Sequence, residues 1–373
     1  MAIELVNLSK QYEDFYAVDD LTMTIPESSL TVLIGPSGCG KTTTMKMINR
    51  LIERTNGDIR FDGESIDNMN TIQLRRSIGY VIQEIGLFPH MTVYENIAVV
   101  PRLLKWKEGE IRKRIRELLD LVNMDPKLNM EKFPAQLSGG QRQRIGVARG
   151  LAADPDILLM DEPFGAIDPI NREKLQDSFL EIQKSIQKTI VFVTHDIREA
   201  VKLGDHIAIL DKGKIAQYDS AMEVINNPAN VFVEDLLGSD RALKGMELLK
   251  VKDHLSEDIQ TIVIEDYNSV GKALKYLQKE DRDFIFVVNN KNKLEGYITQ
   301  RELTKADQKE SLFPHVKPVD SLRPYSTLME AVSHMFKAGL IEIPVVNDHN
   351  KMLGSMRLSE VFAKVRSIAG TNV

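Results

Sequence analysis

Two rhythms of apolar residues divide this chain. From residue 1 to about 225, short runs dense in Val, Ile and Leu alternate with longer segments of helical spacing. The runs 30–34, 78–82, 157–160, 190–193 and 206–210 are predicted strands. Near-continuous apolar runs of this kind suit a parallel sheet covered by helices on both faces, and their alternation with helices reads as α/β. Between Glu84 and Asp154 the strands give way to helices. There Ile111, Ile115, Leu118, Leu119 and Val122 recur at 3.6-residue spacing, which predicts an amphipathic helix. Its basic residues, Arg112, Lys113, Arg114 and Arg116, read as a solvated face rather than a lipid- or partner-binding strip.

The first pattern stops near Leu237-Gly238-Ser239-Asp240, a helical linker is predicted over 239–249, and an internal repeat follows. A shift of 58 residues aligns Tyr267 with Tyr325, Ala273 with Ala331, Lys279 with Lys337 and Val287-Val288-Asn289 with Val345-Val346-Asn347. It also pairs Asn292-Lys293 with Asn350-Lys351, Gly296 with Gly354 and Glu302 with Glu360, with no gap needed. Each copy reads as helix, strand, turn and strand, so the tail is two copies of one supersecondary unit packed together. The predicted domains are 1–238, with a helical subdomain over about 84–152, and 250–373, with repeats over about 250–305 and 308–367.

Composition agrees with two ordinary globular domains. The 373 residues are 43% hydrophobic and 27% charged, and the net charge of −6 argues against a protein that coats nucleic acid. One cysteine, Cys39, cannot form an internal disulfide, which points to a reducing cytosol. The first residues have neither the basic patch nor the apolar run of a signal peptide. A spanning helix needs roughly 20 predominantly apolar residues, and the longest runs here are far shorter. Any membrane role is therefore that of a peripheral subunit.

Three motifs carry chemistry. Gly35-Pro36-Ser37-Gly38-Cys39-Gly40-Lys41-Thr42 matches G-x-x-x-x-G-K-[ST], after a predicted strand and before a helical run that starts at Thr43. Its glycines let successive backbone N–H groups turn toward one anion, Lys41 can reach β- and γ-phosphates, and Thr42 can ligate Mg²⁺. Cys39 stands near a helix N-terminus, which can lower a thiol pKa, but a small filler residue is the preferred reading. Second, the apolar run 157–160 ends in Asp161-Glu162, carboxylates placed at a strand end to hold a metal and to polarise an attacking water. Third, in Leu137-Ser138-Gly139-Gly140-Gln141-Arg142-Gln143-Arg144 a helix N-cap serine precedes two glycines that bring backbone close to an anion.

That third run, lying between a phosphate loop and an Asp-Glu strand, resembles the signature motif of ABC ATPases, and the resemblance spans residues 1 to about 240. It implies a P-loop ABC ATPase domain with a RecA-like core and a helical subdomain, using ATP and Mg²⁺. The phosphate-contacting residues would be Gly35, Ser37, Gly38, Cys39, Gly40, Lys41, Thr42 and Thr43. Thr42, Gln83 and Asp161 would serve the metal, Glu162 would be the general base, and His195 in Val193-Thr194-His195-Asp196 would contact the γ-phosphate. Asp168 falls in the loop that crosses a dimer interface, where Gly165 and Ile167 stand in place of the commoner Ser and Leu. Tyr12 is placed ahead of Tyr16 as the aromatic that stacks on adenine. In this family two copies share each ATP site, so Ser138, Gly139, Gly140 and Gln141 of one would face the ATP of the other.

The apolar stretch 86–97 after Gln83 resembles the region where importer ATPases receive a permease helix. The tail resembles a pair of CBS motifs, a tandem (Bateman-type) α+β domain. Together they imply a homodimeric subunit of an importer of osmoprotectants such as glycine betaine, carnitine or choline. Such a subunit sits on the cytoplasmic face of the cell membrane, bound to integral-membrane permeases and served indirectly by an extracytoplasmic substrate-binding protein. Importers of other small amines or amino acids are the alternative. A soluble ABC ATPase acting on ribosomes or DNA fits less well, because the chain has one ATPase unit, no coiled-coil heptads and no basic excess. In related tails, cyclic di-AMP or another adenine nucleotide is the expected ligand. The ribose pattern Gly-x-x-Thr/Ser-x-x-Asp is altered here: Glu302 and Glu360 replace Asp, and Arg357 replaces the second hydroxyl.

Overall fold

Three of the strands expected from apolar runs have every residue buried, as strands covered on both faces require. The computed structural model describes residues 1–82, 86–165, 167–256 and 259–369. Two compact units, Met1–Gly238 and Ser239–Val373, make up the chain.

The first unit begins with strands β1 (Ile3–Tyr12), β2 (Phe15–Ile25) and β3 (Leu30–Ile34), then helix α1 (Lys41–Ile48), β4 (Asn56–Phe61), β5 (Glu64–Ser65), α2 (Thr71–Ser77) and β6 (Ile78–Val81). Helices α3 (Val93–Leu103), α4 (Glu108–Leu121), α5 (Pro126–Asn129) and α6 (Gly139–Gly150) follow without a strand among them. Then come β7 (Ile157–Asp161), α7 (Pro169–Ile186), β8 (Thr189–Val193), α8 (Ile197–Leu203), β9 (His206–Asp211), β10 (Lys214–Ser220), α9 (Ala221–Asn226) and α10 (Val231–Leu237).

One sheet has the order β10-β9-β3-β8-β7-β6, parallel except for β10. Because β3 lies between β8 and β9, the loops leaving β3, β7 and β8 emerge at neighbouring carboxyl ends. Open α/β sheets bind ligands at that edge. A second, antiparallel sheet has the order β2-β1-β4-β5 and was not among the predicted strands. Its first pair carries several register irregularities, which blur the period-two alternation that would reveal it. Both sheets share one core in which Leu5, Leu21 and Ile59 pack with Leu33, Leu159 and Val191. Burying such an aliphatic side chain contributes about 1.5–3 kcal/mol.

The amphipathic pattern of 111–122 becomes α4, with Ile111, Ile115, Leu118 and Leu119 buried. Of its basic residues Arg112, Lys113 and Arg116 face outward, Lys113 82% exposed beside Glu117, whereas Arg114 folds back and donates to the Leu151 carbonyl at 3.1 Å. At the head of α3, Thr92 and Glu95 form a reciprocal cap. Asn96, fully buried, donates to the Phe88, Met91 and Thr92 carbonyls and accepts the Phe88 N–H, which fixes the preceding loop.

The second unit contains α11 (Arg241–Leu248), β11 (Thr261–Val263), α12 (Val270–Lys279), β12 (Phe284–Val288), β13 (Leu294–Thr299), α13 (Gln300–Leu303), α14 (Leu328–Ala338), β14 (Glu342–Val346), β15 (Met352–Arg357) and α15 (Leu358–Ala369). Adding 58 to the bounds of β12 and β13 gives those of β14 and β15, and the starts of α12 and α13 map onto α14 and α15 in the same way. The first copy adds β11 parallel to β12, a pairing that shrinks in the second copy to one bridge, Leu322 to Val345. Between the copies runs a clasp. The turn residues Asn292 and Asn350 both have left-handed backbone, with φ of 58° and 60°. Asn350 Nδ2 donates to the Leu294 carbonyl at 3.0 Å and Asn292 Nδ2 to that of Met352 at 3.2 Å. The Leu294 and Met352 N–H groups return bonds to the Asn350 and Asn292 carbonyls.

Candidate nucleotide-binding and hydrolysis site

The phosphate loop spans the gap between β3 and α1, and its backbone is possible only with glycine at two points. Gly40 has φ of 107°, and a Cβ there would lie 2.4 Å from the Ala17 carbonyl oxygen. A Cβ on Gly35 would lie 2.1 Å from that of Leu210. Ser37 and Gly38 form the exposed tip, while Cys39 is buried beneath it. Burial pushes the Cys39 thiol up, against the opposing pull of Lys41, so the filler reading fits and thiolate chemistry does not. Lys41 is itself buried; its Nζ donates to the carbonyls of Gly35 at 2.8 Å and Pro36 at 3.0 Å. The ammonium is therefore held inside the ring of the loop. Thr43 is half-buried in the first turn of α1.

The end of β7 meets this loop. Thr42 Oγ1 donates to Asp161 Oδ1 at 3.2 Å. Burial raises the Asp161 carboxyl, the Thr42 bond pulls it back, and Glu162 adds to the rise. The Tyr80 phenol nearby is pushed up to about 12 by burial and by Asp161. A buried carboxylate beside a hydroxyl is a pair of hard oxygen donors, the set that suits Mg²⁺ carried on phosphate oxygens and water. Among the described residues no group of three or more His, Cys, Asp and Glu side chains is arranged to hold a metal by itself. Thr42 and Asp161 would supply two oxygen donors to such a cation.

Glu162 occupies left-handed backbone, with φ of 42°, a conformation that costs a non-glycine residue about 1–2 kcal/mol. Its N–H donates to the Val193 carbonyl at 3.0 Å, and its own carbonyl accepts the Gly165 N–H at 3.1 Å. This turn re-aims the side chain across the sheet edge, where Oε2 lies 3.2 Å from His195 Nδ1. The His195 ring is 62% exposed, open to a ligand. Lys41, Thr42, Asp161, Glu162 and His195 therefore converge, although they come from three separate strand ends.

The signature residues stand at a different place. Ser138 Oγ accepts the Gln141 N–H at 3.2 Å, and Gln141 Oε1 accepts the Ser138 N–H at 2.9 Å, closing a reciprocal cap on α6. Ser138, Gly139, Gly140, Gln141 and Asp168 line a cavity of about 480 Å³ whose walls include none of the five converging residues. At the other end of α6, Arg149 Nη1 donates to the Gly86 carbonyl at 2.7 Å. Gln83 lies outside the described residues. Tyr12 and Tyr16 are half-exposed on the β1–β2 hairpin, and Lys10 Nζ sits 4.9 Å above the Tyr12 ring.

Three neighbours of His195 were not among the sequence candidates: Thr194, Glu199 and Gln176, joined by buried hydrogen bonds. The available signal was a charged residue, Glu199, set directly before the apolar pair Ala200-Val201 in a short helix.

Phosphate loop, paired carboxylates and signature helix on this sheet define an ATP-hydrolysing cassette of the ABC type. The family model described as "ABC transporter" matches residues 18–165, and that of the CBS domain matches 251–309. The choline transport ATP-binding protein OpuBA of Bacillus subtilis is 43% identical over 355 residues, covering 94% of this chain and 93% of that one. The osmoprotectant import ATP-binding protein OsmV of Salmonella typhimurium is 42% identical, covering 95% and 94%. The carnitine transport ATP-binding protein OpuCA of Listeria monocytogenes is 44% identical, covering 95% and 90%. Among solved structures, the dimeric bacterial ABC transporter cassette MJ0796 is 33% identical with a TM-score of 0.52, covering 59% of this chain and 98% of that one. The chain belongs to the family of ATP-binding subunits of osmoprotectant ABC importers.

Proposed function

We propose that two copies of this chain close on ATP and power the import of a compatible solute: glycine betaine, carnitine or choline. The observation that carries the reading is the convergence of Lys41, Thr42, Asp161, Glu162 and His195 at three adjacent strand ends. In this reading the phosphate loop from Gly35 to Thr43 receives the phosphates, and Lys41 leaves its loop carbonyls to meet the β- and γ-oxygens. Thr42, Gln83 and Asp161 would hold Mg²⁺, which when bound would offset the negative charge of the phosphates. Glu162 accepts a proton from the attacking water. His195, fixed by Glu162, contacts the γ-phosphate, and Tyr12 stacks on adenine. Ser138, Gly139, Gly140 and Gln141 of the second copy complete the site, and Asp168 lies at the same junction. ATP then favours the closed pair because it binds that state better, and hydrolysis releases it.

Support for a permease partner comes from a concavity of about 310 Å³ lined by Arg75, Tyr80, Gly86, Phe88, Val100 and Arg149, a mixed apolar and basic surface that could receive side chains from a partner's helix. No helix among the described residues is long and apolar enough to cross a membrane. Because the relatives are ATP-binding subunits of transport systems, we place this subunit on the cytoplasmic face, against integral-membrane partners that meet an extracytoplasmic binding protein. Another small amine or amino acid is the alternative cargo.

The second unit serves regulation in this reading. A cavity of about 480 Å³ within it is lined by Arg282, Asp283, Phe284, Glu342, Arg357 and Ser359. Arg357 stands where a ribose-binding hydroxyl is expected and lies 3.4 Å from the buried Glu342. Arg282 lies 3.5 Å from the same carboxylate, so phosphates of cyclic di-AMP or another adenine nucleotide would face two arginines that share it. Removal of residues 250–373 should leave ATP hydrolysis in place and abolish its response to ionic strength or cyclic di-AMP. A retained response would refute the regulatory reading.

Glu162→Gln tests the catalytic assignment. Turnover should fall about 10²–10⁴-fold, the worth of a general base, while ATP binding survives. Hydrolysis close to the parent rate would remove Glu162 from the role.

A further inference from the structure

Glu199 is a buried carboxylate that none of the steps above uses. It lies on α8, four residues after His195, with 5% of its surface exposed and Ala200 and Val201 fully buried beside it. Both its oxygens are taken. Oε2 accepts the Thr194 hydroxyl at 2.6 Å, and Oε1 accepts Gln176 Nε2 at 3.0 Å. The Thr194 oxygen accepts the Asp196 N–H at 3.1 Å, and the Thr194 N–H donates to the Leu33 carbonyl at 3.2 Å. The residue before His195 is thus tied to β3, to its own turn and to Glu199.

The other arm of the network runs toward Asp168. Gln176 lies on α7, the helix that leaves the 165–168 segment. One turn earlier on the same helix, Arg172 Nη2 donates to the Ile167 carbonyl at 3.0 Å. Burial raises the Glu199 carboxyl, and the Arg172 charge and both hydrogen bonds pull it back. A carboxylate in such a place is expensive unless its oxygens are bonded, and an apolar residue would fill the volume at lower cost. The bonds it makes lead to two loops of the ATP site.

We propose that Glu199 is a positioning residue that couples His195 to the Asp168 loop. It holds the Thr194 hydroxyl on one side and the Gln176 amide on the other, so His195 is presented to the γ-phosphate only while α7 is seated. A shift of α7, as the Asp168 loop meets a second copy, is passed to His195 through two hydrogen bonds. The inference rests on the proposed contact between His195 and the γ-phosphate.

The test is steady-state ATP hydrolysis by the full chain carrying Thr194→Val, Thr194→Ser, Glu199→Leu or Glu199→Gln, with His195→Ala measured alongside. Thr194→Val keeps shape and loses the hydroxyl; Glu199→Leu loses both acceptors. Each should lower kcat about 10–100-fold with KM for ATP held within about threefold, since misplacement alone can cost 10²-fold. Thr194→Ser and Glu199→Gln should recover the rate to within about threefold of the parent, because a hydroxyl or a turned amide restores the bonds. Parent-like kcat in Thr194→Val overturns the proposal, even if Glu199→Leu does not fold. A failure of both conservative variants to rescue, or a rise in KM alone, also overturns it. If His195→Ala hydrolyses at the parent rate, the contact with the γ-phosphate is wrong; if that variant is inactive and Thr194→Val is normal, only the coupling fails.

Discussion

Replacing Asn350 by Ala should loosen the second unit by a predictable amount. Two losses add. The Asn350 Nδ2 bond to the Leu294 carbonyl disappears, and a hydrogen bond of this kind is worth about 0.5–1.5 kcal/mol net. Alanine must also hold a φ of 60°, a conformation asparagine tolerates and alanine adopts at a cost of about 1–2 kcal/mol. The sum is about 1.5–3.5 kcal/mol. Asn350→Gly keeps the backbone conformation and should lose less, and Asn292→Ala, the related turn residue, should cost about the same as Asn350→Ala. Asn290→Ala, at an exposed neighbour, should stay within about 0.5 kcal/mol. Calorimetric unfolding of the full chain reads the effect. The transition of the second unit can be identified with Ile343→Ala, which empties a fully buried core position for about 2–5 kcal/mol. That transition should fall by roughly 3–14 °C in Asn350→Ala, at about 2–4 °C per kcal/mol. An unchanged transition in both Asn350→Ala and Asn292→Ala would refute the clasp.

Two further outcomes follow from buried groups near the ATP site. With Cys39 buried and its thiol raised by that burial, alkylation of the folded chain should be slow at pH 7 and accelerate toward pH 9, with Mg-ATP protecting. Rapid labelling at pH 7 that Mg-ATP does not affect would contradict this. Glu199 is raised by burial, so the folded state holds its proton more tightly than the unfolded chain does. Its contribution to stability is therefore greatest below the unfolded carboxyl value, about 4.3, and declines as pH climbs to the folded value. Glu199→Gln removes that decline, so its unfolding temperature relative to the parent's should be higher at pH 8 than at pH 4. A gap of the same size at both pH values would show that Glu199 is not raised.

Much of this was legible from residue order because the signals were local. The phosphate loop, the Asp161-Glu162 strand end and the Ser138 cap are each defined by neighbours in sequence, and strands buried on both faces advertise themselves as apolar runs. The 58-residue repeat lies on the surface of the sequence because both copies solve one packing problem. What stayed hidden depends on long-range pairing. The sheet β2-β1-β4-β5 joins segments up to sixty residues apart, and irregular register breaks its alternation. The clasp between Asn292 and Asn350 shows in sequence only as matched asparagines; that they bond across the repeats is a property of the packed pair. Glu199 looked like any acid on a short helix, since its partners lie five residues before it and on α7.

The central claim is that each ATP site takes Lys41 from one copy and Ser138 from the other. Mixing a Lys41→Ala chain with a Ser138→Arg chain tests it directly. Every site of either variant alone carries a fault, so each should be nearly inactive. A mixed pair has one site with both faults and one with neither, and the mixture should recover about a tenth to a quarter of the parent rate. If Lys41 and Ser138 of the same chain served one site, no pairing could repair either, and the mixture would stay at the average of the two inactive variants.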